Sequence, residues 1–408
     1  MKLLIIVVTT FTSFFASAQL LPQLPQATYQ SGRPNDKMVL PTGREEEFRA
    51  EAFTRAKVWS EPAPIGAVNL RVTQGSPNEF TNDSEITCKW VSNERYSGAT
   101  PKFLCAIPNG EVIKVKYHRE KKSTAEVGAE PMATRLLSAL GFGTDSIFIV
   151  KTIRCFGCPK DPYSANTKFY SPIKQIKDDH CQFQLNNAPG CRYSKDHSKF
   201  LSFDKYTDFQ YATIERRLPG KRMISPKKDG WGYTELANID ASRGGASKAE
   251  LDAFRIVSVF LNHADNKDDN QMLTCTDSTI RDDGYCKNPV AFISDAGTTF
   301  GSSSRGMHKG FSKLDVVGWE EHSIWSETGA CMLQMKGNMT ESWKDIEVGE
   351  EGRKLAARLL SSLKPQQIRD LFEGARIHVS PFNGNVDVWI RVFNKRLAKI
   401  SSRTCPVN

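Results

Sequence analysis

Beyond its first eighteen residues the chain has no apolar run near the ~18 residues that a membrane-spanning helix needs, so no helical span is expected there. It also lacks an extended basic stripe with interleaved aromatics. Lys and Arg are scattered, with only short clusters such as Arg119-Glu120-Lys121-Lys122. The net charge of +9 therefore reads as a solubility charge, and nucleic acid is not an expected partner. No internal repeat is present. Disorder is excluded by composition, with 39% hydrophobic and 25% charged residues.

What is present begins at the N-terminus. "MKLLIIVVTTFTSFFASA" has Lys2, an apolar run and then Ala16-Ser17-Ala18. This is the pattern of a signal peptide over 1–18, cleaved before Gln19. All ten cysteines follow it. An even count in an exported chain reads as disulfides. Cys88 with Cys105, and Cys275 with Cys286, each flank a turn-rich segment, and Cys331 with Cys405 would tie down the C-terminal tail. Cys155, Cys158, Cys181 and Cys191 form either two disulfides or a four-thiolate zinc site, with disulfides favoured in an oxidising compartment. The expected location is secreted or periplasmic, and the expected state is a monomer.

Residues 19–60 are rich in Pro, Gln and charge and read as an extended leader or linker. Short strands follow in "EITCKWVS" and "PKFLCAIPNGEVIKVKYH", with Pro108-Asn109-Gly110 as a hairpin turn. "EVGAEPMATRLLSALGF" spaces Met132, Leu136, Leu137 and Leu140 along one helix face, with Pro131 suiting the first turn and Gly141 the stop. "DSIFIVKTIRCF" is strand again, and 155–205 is a polar, Cys-rich excursion. "YATIERRLPGKRM" is a strand ending at Pro219-Gly220. Helical pattern covers 248–262, 350–375 and 386–400, with a hairpin after the first of these, closed by "PVAFISDAGTTFG". Strands with one helix come first and helices dominate later, which is an α+β, two-lobed order. The expected lobes are 61–220, small and β-rich with a Cys-rich insertion, and 221–408, larger and helical.

One short stretch concentrates chemistry. "HADNKDDN" places Asp265, Asn266, Asp268, Asp269 and Asn270 within six positions, with Lys267 among them and His263 just before. Taken alone, such a loop is a solvated turn or a calcium site; it lacks the Gly and terminal Glu of an EF-hand. Phosphoryl transfer needs a carboxylate near the attacking hydroxyl, a cation on the phosphate and a few hard oxygen ligands for a metal. Asp265, Lys267 and Asn270 offer one of each. Asp295 follows, at the end of the apolar strand "VAFIS" and freed by Ala296-Gly297.

In this order "HADNKDDN" resembles the protein-kinase catalytic loop H-R-D-L-K-x-x-N, and "DAG" resembles D-F-G. "EVIKVKY" resembles the strand bearing the phosphate-binding lysine, "AEPMATRLLSALGF" the helix bearing its glutamate partner, and "YATIERRLPG" the hinge strand. The helix is especially similar to those of secretory-pathway kinases, spore-coat CotH-type kinases and the atypical group with HipA-type and phosphatidylinositol kinases. The resemblance covers roughly 110–300. It implies a disulfide-stabilised, two-lobed kinase-like fold and a secreted phosphotransferase using ATP with magnesium or manganese on an unidentified hydroxyl acceptor. It implies Asp265, Lys267 and His263 as catalytic residues, and Asn270 and Asp295 as metal ligands. Lys116 or Lys114, Glu130 and Glu215 are implied as nucleotide-binding. The sequence departs from the pattern in having no G-x-G-x-x-G, only Ser97-Gly98-Ala99-Thr100. It also has no A-P-E, which removes the expectation of a standard activation segment and substrate groove. A catalytically silent pseudokinase-type binding or envelope protein and a calcium-binding adhesion protein are the competing readings.

Overall fold

A computed structural model describes residues 37–73, 80–91, 98, 100–119, 124–169, 205–276, 284–301, 314–335, 343–344 and 346–407. The expected signal peptide, most of the leader, Cys181 and Cys191 lie outside the described residues.

The first helix corrects an expectation. Residues 45–54, placed by sequence inside an extended leader, form α1 (Glu45–Thr54). Its apolar residues follow no helical stripe, so periodicity gave no signal. Tertiary contacts hold it instead. Ala52 and Phe53 are buried, Phe53 lies 6.2 Å from the Trp231 ring, and the Arg49 guanidinium donates to the Gly230 carbonyl. Glu45, Glu46 and Glu47 in the first turn suit the positive end of the helix dipole.

The β-rich lobe contains β1 (Glu85–Val91), β2 (Lys102–Ala106) and β3 (Val112–Lys116), then α2 (Ala125–Ala139). β4 (Ser146–Ile149), β5 (Thr152–Phe156), α3 (Pro162–Phe169), β6 (Tyr206–Gln210) and β7 (Thr213–Arg216) complete it. The strand order is β4-β7-β3-β2-β1-β5-β6. β4 and β5 are one long strand bent at Val150–Lys151, and β6 and β7 are another bent at Tyr211–Ala212. The two stay paired through the bend, where Val150 N–H donates to the Ala212 carbonyl. The sheet thus curls round an interior of Phe103, Ile113, Val115, Tyr117, Phe209 and Ile214. Alternation along β3 turns Lys114 and Lys116 to the opposite face.

Helix α2 starts at Ala125, so Pro131 sits in the helix interior and not in the first turn as its sequence context suggested. Helical burial outweighs one missing N–H bond there, since nearly every residue of α2 is buried. Gly141 does end the helix, with φ of +89°; a Cβ at that position would collide with the Ser60 carbonyl.

The helical lobe opens with β8 (Lys221–Arg222) and α4 (Lys248–Leu261). Ser247 caps α4 through a capping box with Glu250, and Asn262 ends it in the left-handed region at φ +56°. β9 (Gln271–Cys275) and β10 (Pro289–Ile293) form the expected hairpin, with Cys275 opposite Pro289. α5 (Val316–Glu321), β11 (Met332–Leu333), β12 (Ile346–Glu347), α6 (Glu350–Ser361), α7 (Pro365–Gly374) and α8 (Val386–Ser401) follow. α6 and α8 pack beside α4 and α7 around Phe260, Trp319, Phe372 and Phe393.

Disulfides join Cys88–Cys105, Cys275–Cys286 and Cys331–Cys405 as the spacing suggested. Cys155 and Cys158 bridge each other, which removes both from any four-thiolate zinc site.

Candidate active site

Two lysines and three glutamates meet on the cleft side of the sheet. Helix α2 carries Glu126 and Glu130 one turn apart, so both carboxylates face the same strand. Lys116 Nζ lies 3.0 Å from Glu126 Oε2 and also pairs with Glu130 Oε1. Lys116 and Glu130 are each only 2% exposed. Burial would push the Lys116 ammonium towards neutrality, but Glu130 and Glu126 outweigh it and hold the charge. Lys114 has a different partner. Strand register sets it opposite Glu215, and Nζ lies 2.6 Å from Glu215 Oε2. Desolvation would raise the half-buried Glu215, yet Lys114 and Lys116 hold its carboxyl down at about 2. The alternative left open by sequence is thereby split: Lys116 is the partner of the helix, and Lys114 is the partner of β7.

Asp295 leaves β10 directly beneath these groups. Its N–H and that of Ser294 both donate to the Asn270 carbonyl at 3.0 Å. Asp295 Oδ1 accepts from Gly297 N–H at 3.0 Å. Burial favours the neutral acid, but Lys116, Lys114, the Gly297 N–H and Lys102 together hold it well below the usual carboxylate range. Gly297 is required by contact: a Cβ there would run into the Glu126 side chain. Carboxylate oxygens of Glu126, Glu130 and Asp295 all lie within 4.8 Å of one another.

The loop after α4 is fastened to the same strand. Asn270 Nδ2 donates to the Asp265 carbonyl at 2.7 Å, which leaves its amide oxygen outside that bond. Asp265 is half-buried, and Oδ1 makes no hydrogen bond among the described residues. Burial pushes its carboxyl up to about 6, with Lys267 opposing the shift. His263 lies elsewhere. It is fully buried, with Nε2 2.9 Å from the Asp295 carbonyl and Nδ1 3.2 Å from the Tyr233 hydroxyl. Burial lowers it to about 4, so the ring is neutral and braces the Asp295 segment from behind.

Lys114, Glu215, Lys267, Asn270 and Asp295 line one cleft of about 350 Å³, within the usual range of small-ligand sites. Leu218, Met272 and Phe292 supply its apolar walls. Asp265, His263, Lys116, Glu126 and Glu130 are not among its lining residues. Two lining residues escaped sequence reasoning. Asp145 accepts from Leu218 N–H and Ser294 Oγ–H, both at 2.7 Å, and burial pushes its carboxyl up to about 7. Lys102 lies on β2, beside Lys116 in register. Neither belongs to a recognisable motif; only their packing marks them.

The residues present fit a divalent cation. Three clustered carboxylates are hard oxygen donors, and Glu130 Oε2 is buried without a hydrogen-bond partner among the described residues.

No known family profile and no curated protein matches the chain. Among solved structures it is similar to the Helicobacter pylori proinflammatory kinase CtkA, at 11% identity and a TM-score of 0.36, over 79% of this chain and 95% of that one. It is also similar to a Golgi casein kinase solved with Mn and ADP, at 13% identity and a TM-score of 0.32, over 79% and 73%. Overlap at these scores carries no weight for chemistry. The internal geometry does: a curled sheet with a buried lysine–helix glutamate pair faces a loop locked to an aspartate at a strand end. This arrangement resembles the one expected of an atypical protein-kinase-like fold.

Proposed function

We propose that the chain is a kinase-like phosphotransferase that moves the γ-phosphate of ATP to a hydroxyl acceptor. The observation that carries this reading is the convergence of Lys116, Glu126, Glu130 and Asp295 from three separate elements into one cluster that meets the cleft at Asp295, with Asn270 hydrogen-bonded to the Asp295 backbone. Asp295 and Asn270 hold magnesium or manganese, with the Glu126 carboxylate close enough to share it. When bound, the metal neutralises phosphate charge. Lys116 keeps α2 docked beside the phosphate-binding cleft. Asp265, with a carboxyl near 6, suits a base that takes the acceptor's proton at neutral pH. Lys267 lines the cleft two residues on and offers its ammonium to the transferring phosphoryl group. His263 acts through Asp295 as a positioning residue. The acceptor is a protein, sugar or lipid headgroup hydroxyl.

Export of the chain fits four disulfides and the absence, among the described residues, of any helix long and apolar enough to cross a membrane. The deciding experiment is thermal melting of the full chain with ATP and manganese or magnesium. A ligand of the native state raises the melting temperature, by about 2.7 kcal/mol of stability at a hundredfold excess over Kd. An unchanged melting temperature with both metals at saturating ATP would remove the reading.

A further inference from the structure

Three lysines share the sheet face that roofs the cleft, Lys102 and Lys114 lining it and Lys116 buried beside it, and they are not equivalent. Strand register sets Lys102 of β2 opposite Lys116, and Leu104 opposite Lys114. Directly opposed residues point to the same face of a sheet, so Lys102 faces the cleft with the other two and lines it. Lys114 is committed to Glu215 at 2.6 Å, and Lys116 to Glu126 and Glu130. Among the described residues Lys102 makes no hydrogen bond and no ion pair.

The surroundings do not favour a lone ammonium. Burial, then Lys116 and Lys114, pull Lys102 down to about 8, against the weaker pull of Glu126 and Asp295. The chain also crosses close over it at Gly98, where φ is +74° and a Cβ would come within 3.2 Å of Lys102 Nζ. A half-buried cation with no counter-ion of its own gains most from an anion that arrives from outside. Asp295 and Asn270, the metal-side groups, line the same cleft. Lys102 and the metal-side groups therefore face one ligand space, where an anion would be drawn to the Lys102 ammonium.

We propose that Lys102 is a phosphate-binding residue of the nucleotide site, the one roof lysine whose charge is left for the ligand. This rests on the kinase-like reading and adds to it a division of labour: Lys116 orders α2, Lys114 orders β7, and Lys102 reads the polyphosphate. The site accordingly discriminates nucleoside di- and triphosphates from the bare nucleoside through a residue that no motif marks.

The test uses calorimetric titration of the full chain with ATP, ADP and adenosine, each with magnesium and with manganese. Lys102→Ala and Lys102→Met are compared with wild type, and Lys102→Arg serves as the charge-conserving control. The expected result is a loss of about 10- to 100-fold in ATP and ADP affinity in the Ala and Met variants. Adenosine affinity stays at the wild-type value, and Arg restores ATP binding to within about threefold. Lys102→Met keeps most of the stem packing, so it is read in place of Ala if the Ala variant melts far below wild type. Wild-type ATP affinity in both truncated variants overturns the proposal and leaves the kinase-like reading standing. An equal loss for ATP and adenosine means a structural role and overturns it as well. If wild type binds ATP with neither metal, the reading and the proposal fall together.

Discussion

Ser294 donates a 2.7 Å hydrogen bond to Asp145 Oδ2, and so joins the start of β4 to the residue immediately before Asp295. Asp145 also accepts from the Leu218 N–H, at 2.7 Å. One buried carboxyl therefore ties together the strand that follows α2, the chain linking the two lobes and the end of β10. Burial, with Glu215 adding repulsion, raises it to about 7.

That shift has a sign. An unfolded aspartic acid titrates at ~3.9, whereas the folded one keeps its proton to about 7. Between these values the native state binds more protons, so stability falls as pH rises. The contribution is complete below about pH 4 and is lost on passing pH 7, amounting to at most ~4 kcal/mol. Asp145→Asn keeps an acceptor for the Leu218 N–H and turns an N–H donor to the Ser294 hydroxyl oxygen in place of the acceptor it meets in wild type. Urea melts from pH 4 to 8 should show a flatter profile in the variant than in wild type. Parallel profiles would exclude Asp145 as the group concerned.

Asp295 and Asp265 should separate by what each affects. Asp295→Ala is expected to abolish the metal-dependent rise in melting temperature with ATP. Asp265→Asn should keep that rise and lose at least ~100-fold in turnover, because a base acting only in the transition state leaves ground-state binding alone. With its carboxyl near 6, the wild-type rate should fall as pH drops below about 6, where the base becomes protonated. Undiminished ATP binding in Asp295→Ala would count against its role as a metal ligand.

Glu126 and Glu130 share Lys116, so their losses should not add. Glu130→Gln leaves Lys116 with Glu126 at 3.0 Å, and Glu126→Gln leaves it with Glu130. Removing both strands a buried ammonium, a defect of about 3–5 kcal/mol. A double-mutant cycle by chemical denaturation should give a coupling of at least ~1 kcal/mol. Strict additivity would show that the two glutamates act independently and do not substitute for each other.

The Cys275–Cys286 bridge closes the hairpin between the Asn270 loop and the Asp295 strand. Replacing both cysteines with serine should cost about 2–3 kcal/mol by the chain-entropy account for a loop of this length. Peptide mapping of the native chain should recover the two cysteines in one cross-linked fragment.

Much of this was readable without coordinates, and the reason is locality. Alternation along β3 already puts Lys114 and Lys116 on one face. The five-residue step from Asp265 to Asn270 brings a loop carbonyl and an amide together, and short cysteine spacings set two of the bridges. Partners distant in sequence were another matter. Nothing in either local pattern says that Lys114 meets Glu215, 101 residues away, while Lys116 meets the helix. Helix α1 carries no periodic stripe and exists because Ala52 and Phe53 find a core built largely by the second lobe. His263 matched a catalytic position and is instead buried behind Asp295, and Asp145 and Lys102 belong to no motif. Periodicity and spacing report the geometry of one element, whereas burial and pairing depend on which elements pack together. A side chain's charge state follows from that packing, because desolvation and the nearest opposite charge set it.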